Sequence, residues 1–333
     1  FTSDDGCRLR INNEMLIDAW NGHSVSTDSA SIYLEAGKDY QLQAEYYDNR
    51  DYAIAKLQWK VPQIGKATRL DLYGEAGKAV RECETVVAVM GINKSIEREG
   101  QDRYDIQLPA DQREFLQEIY KVNPNIILVL VAGSSLAVNW ENEHLPAIVN
   151  AWYPGEQGGT AVAEVLFGDY NPAGRLPLTY YKSLEQLPAF DDYDITKGRT
   201  YQYFKKDVLY PFGYGLSYTT FKYSNLKVDD AGKTVNVSFT LKNTGKRAGD
   251  EVAQVYVRLP EIAGSTQAIR QLKGFRRVAL KAGESRKVEI TLDKEQLRYW
   301  DEKQACFVVP QGSFTFMVGA SSGDIRLENT TNL

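Results

Sequence analysis

The sequence is poor in the residues that build disulfides and metal centres. Cysteine occurs three times, at Cys7, Cys83 and Cys306, and an odd number so widely spaced gives neither a disulfide framework nor a zinc site. Histidine occurs twice, at His23 and His144, which excludes a histidine-rich metal centre. No GxSxG elbow accompanies His144 to support a Ser-His-Asp triad. No basic cluster stands against the net charge of −5, so nucleic acid is not an expected partner. The longest apolar run, Ile126 to Ala132, falls far short of the ~20 residues of a membrane span. A leader is absent too, but the chain opens mid-pattern with FTSDDG and reads as a piece whose start lies upstream, so that absence excludes nothing. What the chain has in plenty is tyrosine, 21 residues beside five Trp. That suits either a protein handling hydroxylated ligands or one packing broad β-sheet faces.

Residues 1–62 alternate in the period of two that marks antiparallel strands. RLRI and MLID flank a turn at Asn12-Asn13; SIYLE and QLQAEYYD flank another in AGKDY; AIAKLQWKV follows. This predicts part of a β-sandwich. A helix-like approach at 63–84, weakened by Gly74 and Gly77, leads into an α/β pattern. TVVAVM reads as a buried strand, ADQREFLQEIYKVN as an amphipathic helix stopped at Asn123-Pro124, and NIILVLVAG as a second buried strand. AIVNAWY reads as a third strand and EQGGTAVAEVLF as a helix ended by Gly168. That order predicts a mostly parallel sheet. The glycines at 155, 158 and 159 lack both the P-loop lysine and GxGxxG spacing and read as a tight turn. Residues 171–218 predict a long connector anchored by Tyr and Phe. From about 220, KTVNVSFTLKNTG, DEVAQVYVRL, RQLKGFRRVAL, SRKVEITLD and CFVVPQGSFTFMVGA read as regular short strands with Gly-rich turns and predict an immunoglobulin-like β-sandwich.

The stretch that draws attention is 85–109, TVVAVMGINKSIEREGQDRYDIQLP. A buried strand stops at Gly91. A loop follows with Glu97, Arg98, Glu99, Asp102 and Arg103, and Pro109 opens a helix. Loops at the carboxyl ends of strands carry the chemistry of open α/β sheets, so Glu97 is the first candidate for a catalytic residue. Taken alone, the loop also reads as a solvated charged turn.

The flanking runs decide between those readings. GINKSIEREGQDRYDIQLPADQ, NPNIILVLVAGSSLAVNW, LPAIVNAWYPGEQGGTAVAEVLFGDYNPAGRLPLTY, RTYQYF and LYPFGYGLSYTTF resemble the α/β-sandwich domain of glycoside hydrolase family 3. The tail resembles that family's fibronectin-III-like domain. SDDG, Trp20, LEAGKDYQLQAEYYD and LQWKV resemble the later strands of a protective-antigen-type β-sandwich, which some members carry as an insert. The implied organisation is multidomain α/β plus β: a partial β-sandwich at 1–62, the α/β sandwich with its connector at 63–218, and the fibronectin-III-like domain at 219–333.

The resemblance implies a retaining, exo-acting β-glycosidase that removes terminal β-linked xylose or glucose, xylose slightly favoured. Its Asp nucleophile would sit on an N-terminal (β/α)8 barrel that is not visible in this chain. By its place in IEREGQDR the general acid/base maps to Glu97, with Glu99 as the alternative. Arg98, Asp102 and Arg103 would support the loop. Because a nearby cation opposes protonation of an acid, both guanidiniums are expected to point away from Glu97, with Arg103 pairing with Asp102 or another neighbouring carboxylate. Arg175 is read as structural, Trp140 and Trp152 as core or interface, and Tyr46 and Tyr47 as residues that would border the leaving-group site if the insert reached over it. No cofactor is expected, except that Asp4-Asp5 match a pair that helps hold calcium in some sugar-binding relatives of the insert. The partners implied are an oligosaccharide or aryl β-glycoside and the barrel of the same protein, and family habit implies a periplasmic or secreted location. The competing reading is a non-catalytic carbohydrate-binding or structural module.

Overall fold

The computed structural model describes residues 1–35, 37–49, 53–59, 70 and 73–333, and the chain divides into two compact units, Phe1–Arg69 and Leu70–Leu333. In the first unit β1 (Thr2–Ser3), β2 (Cys7–Ile11), β3 (Glu14–Ala19), β4 (Ser26–Thr27), β5 (Leu42–Tyr46) and β6 (Ala55–Lys56) form two antiparallel sheets, ordered β4-β1-β6 and β3-β2-β5. Every second residue of β2 is buried, Cys7, Leu9 and Ile11, and Ile17 of β3 packs with Cys7 and Leu9. The turn expected at Asn12-Asn13 is present, with φ of 46° and 69°, a positive-φ pair that joins hairpin strands and that Asn tolerates. The stretch 31–35 was expected to be a strand and enters no sheet. Ile32 and Leu34 are half-buried there while Tyr33 is 87% exposed, but the edge of β2 is taken by β5, Leu42 opposite Ile11. Of AIAKLQWKV only Ala55–Lys56 is a strand, and the positions from 60 on lie outside the described residues, as does most of the helical approach at 63–73.

The second unit begins with α1 (Gly74–Glu82) and then builds a parallel sheet from β7 (Val86–Gly91), β8 (Ile126–Val131) and β9 (Ala147–Asn150), ordered β7-β8-β9. The central strand is apolar throughout because both its faces are covered, and Ile126, Leu128, Val129 and Leu130 are all at most 3% exposed. Helix α2 (Ala110–Tyr120) turns Leu116 and Ile119 fully inward. At the end of β7 the backbone of Gly91 runs so close to Val131 that a Cβ would lie 1.8 Å from the Val131 carbonyl oxygen, and its φ of +154° suits only glycine. The amide of Gln112 on α2 closes that strand end, accepting from Gly91 N and donating to Gly91 O, both at 2.8 Å.

A short helix not foreseen in the sequence, α3 (Asn139–His144), precedes β9. It buries Glu141 at 2% exposure and stacks Trp140 on His144 with the edge of Tyr120 against both. Strand β9 is shorter than AIVNAWY because Trp152 takes a left-handed backbone, φ 54°. Helix α4 (Gly158–Phe167) ends where expected, at Gly168 with φ 81°.

Residues 171–218 run largely without regular structure, as expected, apart from two single 3-10 turns and α5 (Thr200–Tyr203). Rings hold them: Tyr201 stacks on Phe212 at 4.2 Å, Tyr210 on Tyr214 at 5.1 Å, and Tyr180 is buried. Beyond them β10 (Phe221–Asp230), β11 (Thr234–Asn243), β12 (Gly249–Arg258), β13 (Gln271–Leu280), β14 (Ser285–Asp293), β15 (Tyr299–Asp301), β16 (Cys306–Val308), β17 (Ser313–Ser321) and β18 (Asp324–Asn332) form a β-sandwich. Its antiparallel sheets are β10-β11-β14 and β13-β12-β17-β18, with β15-β16 a separate hairpin. Phe239, Val255, Phe314 and Phe316 fill the space between them. Arg175 of the connector pairs with Glu251 of β12 at 2.9 Å, both side chains under 10% exposed. Among the described residues no helix is long and apolar enough to cross a membrane.

Candidate active site

Three loops meet at the carboxyl ends of the parallel strands. The first follows β7. Asn93 organises its start: its side-chain carbonyl accepts from the backbone N and hydroxyl of Ser95, and its main-chain carbonyl accepts from Ile96 N and Glu97 N. This single turn sets the position of Glu97. Arg98 and Gln101 then exchange two backbone hydrogen bonds, 3.1 and 3.0 Å, around Gly100, and this tight reversal carries Glu99 out to solvent. The second loop, 132–135, follows β8. The third follows β9, where the hydroxyl of Tyr153 donates to Ile92 O at 3.3 Å and its ring packs where a Cβ on Gly133 would stand. Tyr153 thereby ties all three loops together.

Glu97 lies half-buried in this junction. The hydroxyl of Ser134 donates to its Oε2 at 2.7 Å, and Nε of Arg103 forms an ion pair with the same oxygen. The other oxygen, Oε1, receives no hydrogen bond among the described residues. Arg103 is nearly buried, its side chain 10% exposed, and its Nη2 donates to Ser135 O at 3.1 Å. The expectation that Arg103 would point away from Glu97 is therefore wrong. Asp102 is exposed, so a nearly buried guanidinium draws on the carboxylate that is itself withdrawn from water. The structure brings together Glu97 and Arg103 of the sequence candidates. It leaves Arg98, Glu99 and Asp102 on the exposed turn. Sequence reasoning did not single out Ser134 and Ser135. The only signal for them was position, two small hydroxyl residues one step past a buried parallel strand.

The Asp4-Asp5 pair sits with Asp48, the three offering carboxylate oxygens within 4.8 Å of one another. Asp4 Oδ1 accepts from the Tyr46 hydroxyl at 2.7 Å and from Ile54 N at 3.1 Å, and Asp5 Oδ2 accepts from Asn49 N at 2.7 Å. The Tyr46 bond, chiefly, holds the Asp4 carboxyl below its usual range, while burial and that same bond push the Tyr46 phenol up to about 12. Carboxylates suit a hard cation in kind, but three are few beside the roughly six to eight oxygens calcium takes, and two of them already serve local donors. Tyr47 packs on Gly6 and meets Trp20 edge-on at 4.9 Å, so both tyrosines are engaged within their own unit.

Residues 11–218 match the model of the glycosyl hydrolase family 3 C-terminal domain, and residues 251–322 match a fibronectin type III-like domain. A xylan 1,4-beta-xylosidase of Xylanibacter ruminicola is 42% identical over 310 residues, covering 89% of this chain and 35% of that protein. A periplasmic beta-glucosidase of Salmonella typhimurium is 35% identical over 272 residues, covering 77% of this chain and 35% of the relative. Among solved structures, a GH3 beta-glucosidase of Bifidobacterium adolescentis superposes with a TM-score of 0.75 at 34% identity, over 81% of this chain and 42% of that one. The chain spans less than half the length of each of these relatives.

Proposed function

Because the chain belongs to glycosyl hydrolase family 3, we propose that it is the C-terminal part of a retaining, exo-acting β-glycosidase and that Glu97 is its general acid/base. A retaining glycosidase needs two carboxyl groups about 5–5.5 Å apart. One attacks the anomeric carbon while the other gives a proton to the departing oxygen. The second group then takes a proton from water as that water displaces the enzyme. Glu97 fills the second role. The nucleophile, an Asp, belongs to a (β/α)8 barrel upstream in the same protein, which the greater length of the relatives supports.

The observation that carries the assignment is the asymmetry of the Glu97 carboxylate. Ser134 and Arg103 both hold Oε2, which fixes the group and leaves Oε1 to carry the proton between leaving group and water. The Arg103 cation by itself favours the charged form, so the acid role also calls for the negative charge of the nucleophile on the barrel to oppose it. Glu99, on the outer turn, has no such support. The names of the relatives favour β-linked xylose or glucose as the sugar released from the non-reducing end, with xylose first on the INKSIEREGQDR and RTYQYF runs. The periplasmic relative supports export to the periplasm or beyond.

The test uses the full-length protein and aryl β-xylosides and β-glucosides. Glu97→Gln should lose turnover at least ~1000-fold while still binding substrate, since both proton transfers fail. Glu97→Ala should recover turnover with added azide and release a β-glycosyl azide. Glu99→Gln should stay within a few-fold of the parent. Full activity in Glu97→Gln, or its loss in Glu99→Gln, would overturn the assignment.

A further inference from the structure

A cavity of about 420 Å3 opens between the loop after β8 and the connector, a size in the range of small-molecule sites. Ser135, Thr179, Tyr181, Arg199, Thr200 and Gln202 are among its walls. Three features mark it as more than a gap in packing. The Thr179 hydroxyl is buried, its residue 6% exposed, and has no hydrogen-bond partner among the described residues; buried hydroxyls are normally paired. Thr200 holds a φ of +59°, an outlier for a β-branched residue, kept in place by its N–H donating to the Tyr181 hydroxyl at 2.8 Å. Such strain gathers at ligand clamps. Arg199 is the one charged residue on the wall. Its Nε and Nη2 donate only to the carbonyls of Asp192 and Ala189, and the nearby Asp192 carboxylate is engaged by Lys197 at 2.8 Å.

We propose that this cavity binds a sugar acid, a hydroxylated ring of pyranose size bearing a carboxylate. The carboxylate meets the remaining N–H groups of Arg199. Ring hydroxyls meet Thr179, Ser135 and Gln202, and the ring lies against Tyr181. No carboxylate side chain lines the cavity, so nothing on its wall repels an anion. A neutral sugar leaves the guanidinium without its partner and binds more weakly.

The probe is sodium glucuronate, titrated into the 333-residue chain by calorimetry. Glucose serves as the neutral match in size and acetate as the bare anion. Glucuronate should bind at least ten-fold more tightly than either. Arg199→Gln should weaken glucuronate at least ten-fold and leave glucose unchanged. Thr179→Val, nearly the same shape, should weaken it several-fold with a melting temperature no lower than the parent's, since it removes a buried unpaired hydroxyl, so a folding defect in the arginine variant does not blur the outcome. No glucuronate binding, equal binding of glucose, equal binding of acetate, or glucuronate binding that survives Thr179→Val would each overturn the proposal. Glu97→Gln should bind glucuronate as the parent does, so this site and the catalytic assignment stand or fall separately.

Discussion

The hydroxyl of Ser134 donates to Oε2 of Glu97 at 2.7 Å across 37 residues of chain. The bond joins the loop after one parallel strand to the loop after its neighbour and fixes which oxygen of the carboxylate is held and which is open.

Removing that bond tests its role directly. Ser134→Ala in the full-length enzyme should lower kcat/KM about ten-fold on alkyl β-glycosides, whose poor leaving groups need a well-placed proton. It should cost much less on 4-nitrophenyl glycosides, which leave with little help. Equal losses on both substrate types would assign Ser134 a purely structural part. Ser134→Thr, which keeps the hydroxyl, should restore most of the activity.

Gly91 permits the approach of β7 to β8 that sets up the loop. Gly91→Ala drives a methyl group to 1.8 Å from the Val131 carbonyl oxygen at a φ foreign to alanine. We expect a loss of about 3 kcal/mol or more in denaturant unfolding, together with reduced kcat as Glu97 shifts. A variant as stable as the parent would show that the two strand ends move apart at little cost.

The buried Arg175–Glu251 pair ties the connector to the β-sandwich. Glu251→Ala leaves a guanidinium at 8% exposure without its carboxylate, a change of about 3–5 kcal/mol. The double change Arg175→Met with Glu251→Leu should recover much of that loss, because apolar residues of similar volume replace a buried pair well. Urea denaturation of the three proteins reads both numbers, and a harmless Glu251→Ala would overturn this account.

Glu141 predicts a pH effect. Burial raises its carboxyl above the usual 4.5, with a hydrogen bond from its own backbone, and then Arg113 and His144, offsetting this only in part. The folded state therefore keeps the proton longer than the unfolded chain does. Glu141 favours the fold most below the unfolded pKa, and that contribution is lost as pH rises toward the raised value. Glu141→Gln should be more stable than the parent at pH 7 and should flatten this part of the stability profile above pH 4.5. A steeper profile in the variant, measured by thermal unfolding across pH, would contradict it.

Much of the fold was legible because its signals are local. The unbroken apolar run of β8, the Phe115-Leu116-Ile119 stripe of α2, the Gly168 stop and the Asn12-Asn13 turn each depend on neighbours in sequence. Helix α3 was not legible, since NWENEH has no apolar stripe and its buried member is an acid. Strands β10 and β18 were missed because Lys, Asp, Glu and Asn on their outer faces dilute the alternation. At the site, the sequence marked the loop and its family resemblance favoured Glu97. That Glu97 is half-buried while Glu99 is exposed came only from the turn around Gly100. The partner of Arg103 was misjudged for the same kind of reason. The choice between Asp102 and Glu97 rests on where Ser134 and Ser135 lie in space, which spacing along the chain does not record.

The connector has a consequence for any attempt to exchange parts between relatives. Asn171 donates to Ala248 O, Tyr201 and Gln202 accept from Leu272 N and Ile269 N, Phe212 accepts from Ser322 N, and Gln254 donates to Gly213 O. These bonds stitch 171–213 into four different stretches of the β-sandwich. A chimaera cut at the first sandwich strand would sever this seam and mate a foreign sandwich to a connector shaped for another. A cut before Asn171 keeps this seam but severs the connector's bonds to the α/β domain, Asn139 to Lys182 O, Asn150 to the Tyr180 hydroxyl and the Tyr210 hydroxyl to Asn142, so α/β domain, connector and sandwich travel together as one cassette.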